Sequence, residues 1–184
     1  MLMLIVALGV GFGLSWYALS DGRMFGASQS GPWVSWTRVG VPSPDPYTQA
    51  YITRNAALQL GQAEGIQLIA TTDSDGRRLD RACRYRVDGR TPTSTFWTLI
   101  PVEEGDRSVT RPDGPPGFFS TRIARAPDGS MQVYFSKTLS PLNWVELVGD
   151  GPFSLVLTLY DTVIFSGVGG SDATTLPSII RESC

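Results

Sequence analysis

The first nineteen residues, MLMLIVALGVGFGLSWYAL, carry no charge, and the first charged side chain is Asp21. At ~1.5 Å per residue such a helix is about 28 Å long, close to the hydrocarbon thickness of a bilayer. Trp16 and Tyr17 stand at its far end, where amphipathic aromatics prefer the membrane interface. We therefore expect residues 1–20 to be a transmembrane anchor whose partner is the lipid bilayer, through residues 1–19. A cleaved signal peptide is the alternative: ALS at 18–20 is a weak cleavage site, and a basic n-region is missing. A buried core helix is the third reading. LGVGFG does not satisfy G-x-G-x-x-G, so a dinucleotide loop is not expected. Gly9 and Gly13 form a G-x-x-x-G that can pack two anchors together.

Orientation is poorly marked by charge, so the two cysteines decide it. Cys83 follows a turn and Cys184 ends the sequence. A bridge between them would tie down the tail and close a loop of about 100 residues. Two cysteines in a short exported chain suit an oxidising compartment. Free thiols are the alternative. With the bridge, the expectation is a single-pass membrane protein with its C-terminal domain in the periplasm or outside.

Histidine is absent. Histidine titrates nearest neutral pH and is the commonest metal ligand, so Ser-His-Asp, Cys-His and histidine-containing zinc chemistry are excluded within this chain. Lys137 is the single lysine among 15 cationic residues, and no P-loop surrounds it. The net charge of -2 leaves no basic surface for phosphates, so nucleic acid is not an expected partner. No cofactor and no metal are expected. Remaining chemistry would need carboxylates, tyrosine, arginine or an oxygen-ligand site.

The rest, 21–184, reads as one β-rich domain. Residues 20–44 read as an exit linker with a short strand near 32–38. Asp45-Pro46 can cap and open a helix over 46–60, closed by Gly61. Beyond it, GIQLIATTD, ACRYRVDG, STFWTLIPV and GPFSLVLTLYDT are β-prone runs bounded by turns, and 103–117 reads as a polar interruption. STRIARAPDG and SMQVYFSK flank Asp128-Gly129 as a hairpin. The expected fold class is mainly β (α+β): a β-sandwich or jelly-roll-like domain with one packed helix, preceded by the transmembrane helix.

GRMFGASQSGPWVSW with DPYTQAYI, then ATTDSDGRRLD, CRYRVDG, FWTL, DGSMQVYFS, NWVEL and GPFSLVLTLYDT, resemble domain-of-unknown-function family 1214 over about residues 22–182. The resemblance implies an envelope-associated β-rich domain in bacteria, preceded in longer relatives by a companion domain, and so the bacterial inner (cell) membrane as the expected location. It implies no catalytic residues.

Three constellations are candidate sites. Asp73, Asp75 and Asp80 fail the EF-hand spacing: with Asp73 first, Gly76 is fourth and Arg84 twelfth. A hairpin turn with surface ion pairs is the expected structure; an acid pair or weak calcium site is the rival. Asn143, Trp144, Glu146 and Asp150 could line a pocket with an aromatic platform and carboxylates, or simply cap a turn and fill the end of the domain. Arg84 and Arg86, two apart on a strand, share a face and could clamp an acid, or form a solvated stripe. The function expected is binding or scaffolding in the cell envelope, for a small ligand or protein partner. The alternatives are a carboxylate-based hydrolase or carbohydrate-active enzyme, and a subunit completing a site on another chain; whether the protein is an enzyme stays open.

Overall fold

Alternating and β-branched runs become strands, and the uncharged leader becomes a helix. The computed structural model describes residues 2–21, 27–36, 64–103, 105–162 and 176–184, with single positions 43, 46, 49, 50 and 53. Helix α1 (Leu2–Asp21) leaves Leu2, Met3, Leu4, Phe12 and Trp16 each more than 60% exposed. Its side chains are described to Tyr17. Among the described residues no helix is long and apolar enough to cross a membrane. The helix expected over 46–60 falls, but for those single positions, outside the described residues.

The strands are β1 (Ala27–Ser30), β2 (Trp33–Trp36), β3 (Gly65–Ala70), β4 (Arg84–Gly89), β5 (Ser94–Glu103), β6 (Arg107–Ser108), β7 (Phe118–Phe119), β8 (Met131–Ser136), β9 (Asn143–Glu146), β10 (Ser154–Thr162) and β11 (Ser178–Ser183). The structure is thus mainly β, with one helix and two sheets among the described residues. The first sheet runs β1-β2-β3-β10-β5-β6, with β7 beside β5. At its centre Leu157 pairs with Leu68 on one side and Leu99 on the other. The second sheet runs β11-β4-β8-β9.

Leu155, Leu157 and Leu159 point to one side of β10 and are fully buried. They join Trp97 and Leu99 of the first sheet and Tyr85, Val87, Val133, Phe135, Val145 and Ile179 of the second in a single core. Period-2 alternation is what puts each sheet's apolar side chains on that inner face. Burying each such side chain contributes about 2 kcal/mol.

Several details depart from the sequence expectation. The exit linker contains β1, joined to β2 through Gly31 at φ 57, with Ser30 paired to Trp33. That two-residue loop needs the left-handed glycine. The polar interruption at 103–117 contains β6. The hairpin about Asp128-Gly129 is reduced to one bridge, Arg125 with Met131. The Asn143 side chain takes its place: its Oδ1 accepts the Ala124 N–H and its Nδ2 donates to the Ala124 carbonyl, both at 2.8 Å. An amide side chain thereby satisfies the backbone groups that a ladder would have used.

NWVEL forms a strand rather than a turn, and β9 runs parallel to β8, with Val133 beside Asn143 and Phe135 beside Val145. A jelly roll is antiparallel, so this pair departs from it. Parallel neighbours ordinarily need a crossover of a dozen or more residues. Here residues 137–142 suffice, because Leu142 reverses the chain at φ 64 and the Ser136 hydroxyl holds the Thr138 carbonyl at 2.6 Å. Leu139 and Leu142 are left 77% and 75% exposed at the surface of that loop.

The carboxyl terminus is strand β11 rather than a loose tail, paired to β4 from Ser178–Asp88 onward. The expected disulfide joins Cys83 to Cys184 across a sequence separation of 101.

Candidate functional site

Because β9 alternates, Asn143 and Val145 face inward while Trp144 and Glu146 face outward. β8 does the same with Gln132 and Tyr134, and β4 with Arg84, Arg86 and Asp88. Register then sets Arg86 beside Tyr134, and Tyr134 beside Trp144. One open face of the four-stranded sheet therefore collects four sequence candidates: Arg84, Arg86, Trp144 and Glu146.

At the β9 edge an arm of the chain walls this face. Thr110 bridges to Leu147, and the Val148 N–H donates to the Val109 carbonyl at 2.8 Å. The chain then turns tightly, with Gly114 N–H bonded to the Arg111 carbonyl. Arg111 reaches back to Glu146, Nη1 to Oε2 at 3.3 Å. Between turn and strand lies a cleft of about 490 Å³, lined by Arg111, Asp113, Gly114, Pro115, Trp144 and Glu146. That volume is in the range of small-ligand sites. The indole of Trp144 is pinned at its polar edge, Nε1 donating to the Ser136 carbonyl (3.2 Å) and hydroxyl (3.1 Å). Sequence reading misses the opposite wall, Arg111 to Pro115. The legible signal there is a proline- and glycine-rich turn, RPDGPPG; the pairing that brings it onto β9 is a long-range contact.

The other candidates separate from this cleft. Asn143 is buried, and its Nδ2 also donates to the Gln132 carbonyl at 2.9 Å. It clasps the 121–126 segment and lines no part of the cleft. Asp150 is 88% exposed and pairs with Lys137 at 2.6 Å. Arg84 and Arg86 do hold an acid, and it is the chain's own Glu182: each guanidinium Nε lies 3.1 Å from one of its carboxylate oxygens. Arg84 also stands over the Tyr134 ring.

The Asp73–Asp80 turn is a clasp, and its key acid is buried rather than superficial. Asp73 is 1% exposed; its Oδ1 accepts the Asp75 and Arg77 N–H groups, and its Oδ2 lies 3.0 Å from Arg181 Nε. Asp75 pairs with Arg77 in solvent, and the Asp80 carboxylate accepts the Ala82 N–H. Among the described residues no group of three acidic or cysteine side chains could hold a metal ion. Tyr85 lies behind the turn, and burial raises its hydroxyl pKa above the ordinary value.

The hydrogen bond from Lys137, and then that lysine's charge, hold the Asp150 carboxyl below its usual value. A folded pKa that is depressed contributes stability above the unfolded value of about 3.9, which is lost as pH falls through the lower folded value. In a carboxyl-carbon NMR titration, Lys137→Met is expected to move the Asp150 midpoint up toward the ordinary one; an unmoved midpoint refutes this pairing.

A family model described as protein of unknown function (DUF1214) matches residues 64–163. The crystal structure of the VPA0106 protein from Vibrio parahaemolyticus aligns at TM-score 0.58 and 21% identity, over 74% of this chain and 35% of that one. A crystal structure of an uncharacterized protein from Burkholderia cenocepacia aligns at TM-score 0.47 and 20% identity, over 90% of this chain and 38% of that one. The chain thus spans little more than a third of the length of either. No curated protein matches it.

Proposed function

The chain belongs to the DUF1214 family of proteins of unknown function, and from that premise we propose that it is a membrane-anchored module of the bacterial cell envelope that binds a small ligand in the Trp144 cleft. The observation that carries the location is the Cys83–Cys184 bridge, downstream of an apolar helix whose first charged residue is its last, Asp21. A bridge between two cysteines persists in oxidising compartments. The exposed apolar side chains of α1 from Leu2 to Tyr17 suit a lipid environment that covers them. The module then faces the periplasm or the outside, on a single span.

The cleft supports binding. It has a fixed aromatic wall, charged groups at its rim, and the size of a ligand site. A carboxylate-based hydrolase gains less support, because Glu146 is already engaged by Arg111. A second reading, a surface for a protein partner, is favoured by Leu139 and Leu142, which project from the loop before β9.

Fractionation of bacteria producing the full chain tests the location. We expect it in the membrane fraction, with the tryptic fragments 82–84 and 182–184 joined until reductant is added. Both thiols alkylatable in intact native protein, or the mature chain free in the cytosol, would overturn the proposal.

A further inference from the structure

The cleft's chemistry narrows its ligand, and we infer that it takes a neutral saccharide. The inference rests on reading the cleft as a binding site. The polar edge of Trp144 is already hydrogen-bonded to Ser136, so a ligand meets the carbon surface of its ring. Around that surface stand Arg111, Asp113 and Glu146. A ligand that fits must pair an apolar patch with a rim of groups that both donate and accept hydrogen bonds.

Sugar rings have that build: a C–H face and a periphery of hydroxyls. Hydroxyls can donate to the two carboxylates and accept from the guanidinium. A purely apolar ligand would strip water from three charged side chains and offer nothing in return. A phosphate or other anion would meet Asp113 and Glu146, and a simple cation would meet Arg111. Tyr134, the register partner of Trp144, continues the aromatic line onto the open sheet face. Tyr134 is itself braced by Arg84, which Glu182 holds.

The test uses the full chain in phosphatidylcholine nanodiscs, because glycosidic detergents would compete. With 5-fluorotryptophan incorporated, the Trp144 fluorine resonance is assigned by its loss in Trp144→Phe. The probes are β-1,4-linked hexasaccharides of glucose and of N-acetylglucosamine, with indole as a non-sugar control. We expect one hexasaccharide to shift the Trp144 resonance saturably and leave those of the buried Trp33 and Trp97 in place. By isothermal titration calorimetry, Trp144→Ala should weaken binding about tenfold or more, as truncation of a central aromatic anchor does. Arg111→Ala, which leaves β9 intact, should weaken it by a smaller factor. If indole shifts the resonance and neither sugar does, the saccharide inference falls and the binding cleft stands. If no probe shifts it, both fall. Sugar binding that survives Trp144→Ala unchanged would also sink the assignment.

Discussion

Removing the Cys83–Cys184 bridge is expected to lower the unfolding free energy by roughly 4–5 kcal/mol. The magnitude follows from loop length. The bond joins residues 101 apart, and the loop it closes contains every strand from β4 to β11. Opening it restores to the unfolded chain the conformations that closure forbids. The folded cost is small by comparison, since β11 keeps its ladder with β4 and Ile179 stays in the core. Urea unfolding of the oxidised chain, the reduced chain and Cys184→Ala should give two coincident low midpoints and one high one. Coincidence of all three would show that the bridge adds nothing to stability. A domain this size has a total stability of 5–15 kcal/mol, so the change is large enough to leave the reduced protein partly unfolded.

Asp73→Ala is expected to cost about 3 kcal/mol, the next largest effect. One carboxylate closes the turn through two backbone N–H groups and pins the carboxyl-terminal strand through Arg181. The same junction holds the Ser74 N–H to Ile179 O, and the Ile179 N–H to the Ser74 hydroxyl, both at 2.9 Å. Arg181 lies over the Tyr85 ring and donates to the Arg78 carbonyl. Removing Asp73 therefore strands two donors and leaves a guanidinium, 17% exposed, without its acid. Asp73→Asn keeps an acceptor for the backbone and should lose less. A double-mutant cycle with Arg181→Ala should show coupling of about 1 kcal/mol or more. Single and double variants within 0.5 kcal/mol of the parent would mean that the turn and β11 fold independently.

Local patterns were legible wherever the residues meet their partners by period alone. GIQLIA, RYRVDG, STFWTLIPVE and SLVLTLYDT alternate or carry β-branched runs, and each is a strand. Arg84 and Arg86 share a face because strands repeat every two residues. Trp144 and Glu146 line one cleft for the same reason. The acid held by the arginines was not legible, since Glu182 lies about a hundred residues away along the chain. Nor was the parallel β8–β9 pair. A short loop ordinarily signals an antiparallel return, and here the left-handed Leu142 and the Ser136–Thr138 hydrogen bond accompany the other. The hairpin turn expected at Asp128-Gly129 forms, but its ladder stops at the Arg125–Met131 bridge, where the Asn143 side chain bonds Ala124 instead, a contact that no local window contains.

By itself the sequence determined that the domain is mainly β, which chemistries it excludes, that two sulfurs could meet, and which outward residues on each strand travel together. Those properties depend on composition and on spacing within one element, where geometry is set by bond lengths and period. Tertiary structure alone decided that Asp73 is buried, that Glu182 fills the arginine clamp, and that Arg111 to Pro115 wall the cleft over Trp144. Each of these joins segments far apart in sequence. Their positions follow from the order in which strands pair and from the inner faces of the two sheets closing on one core.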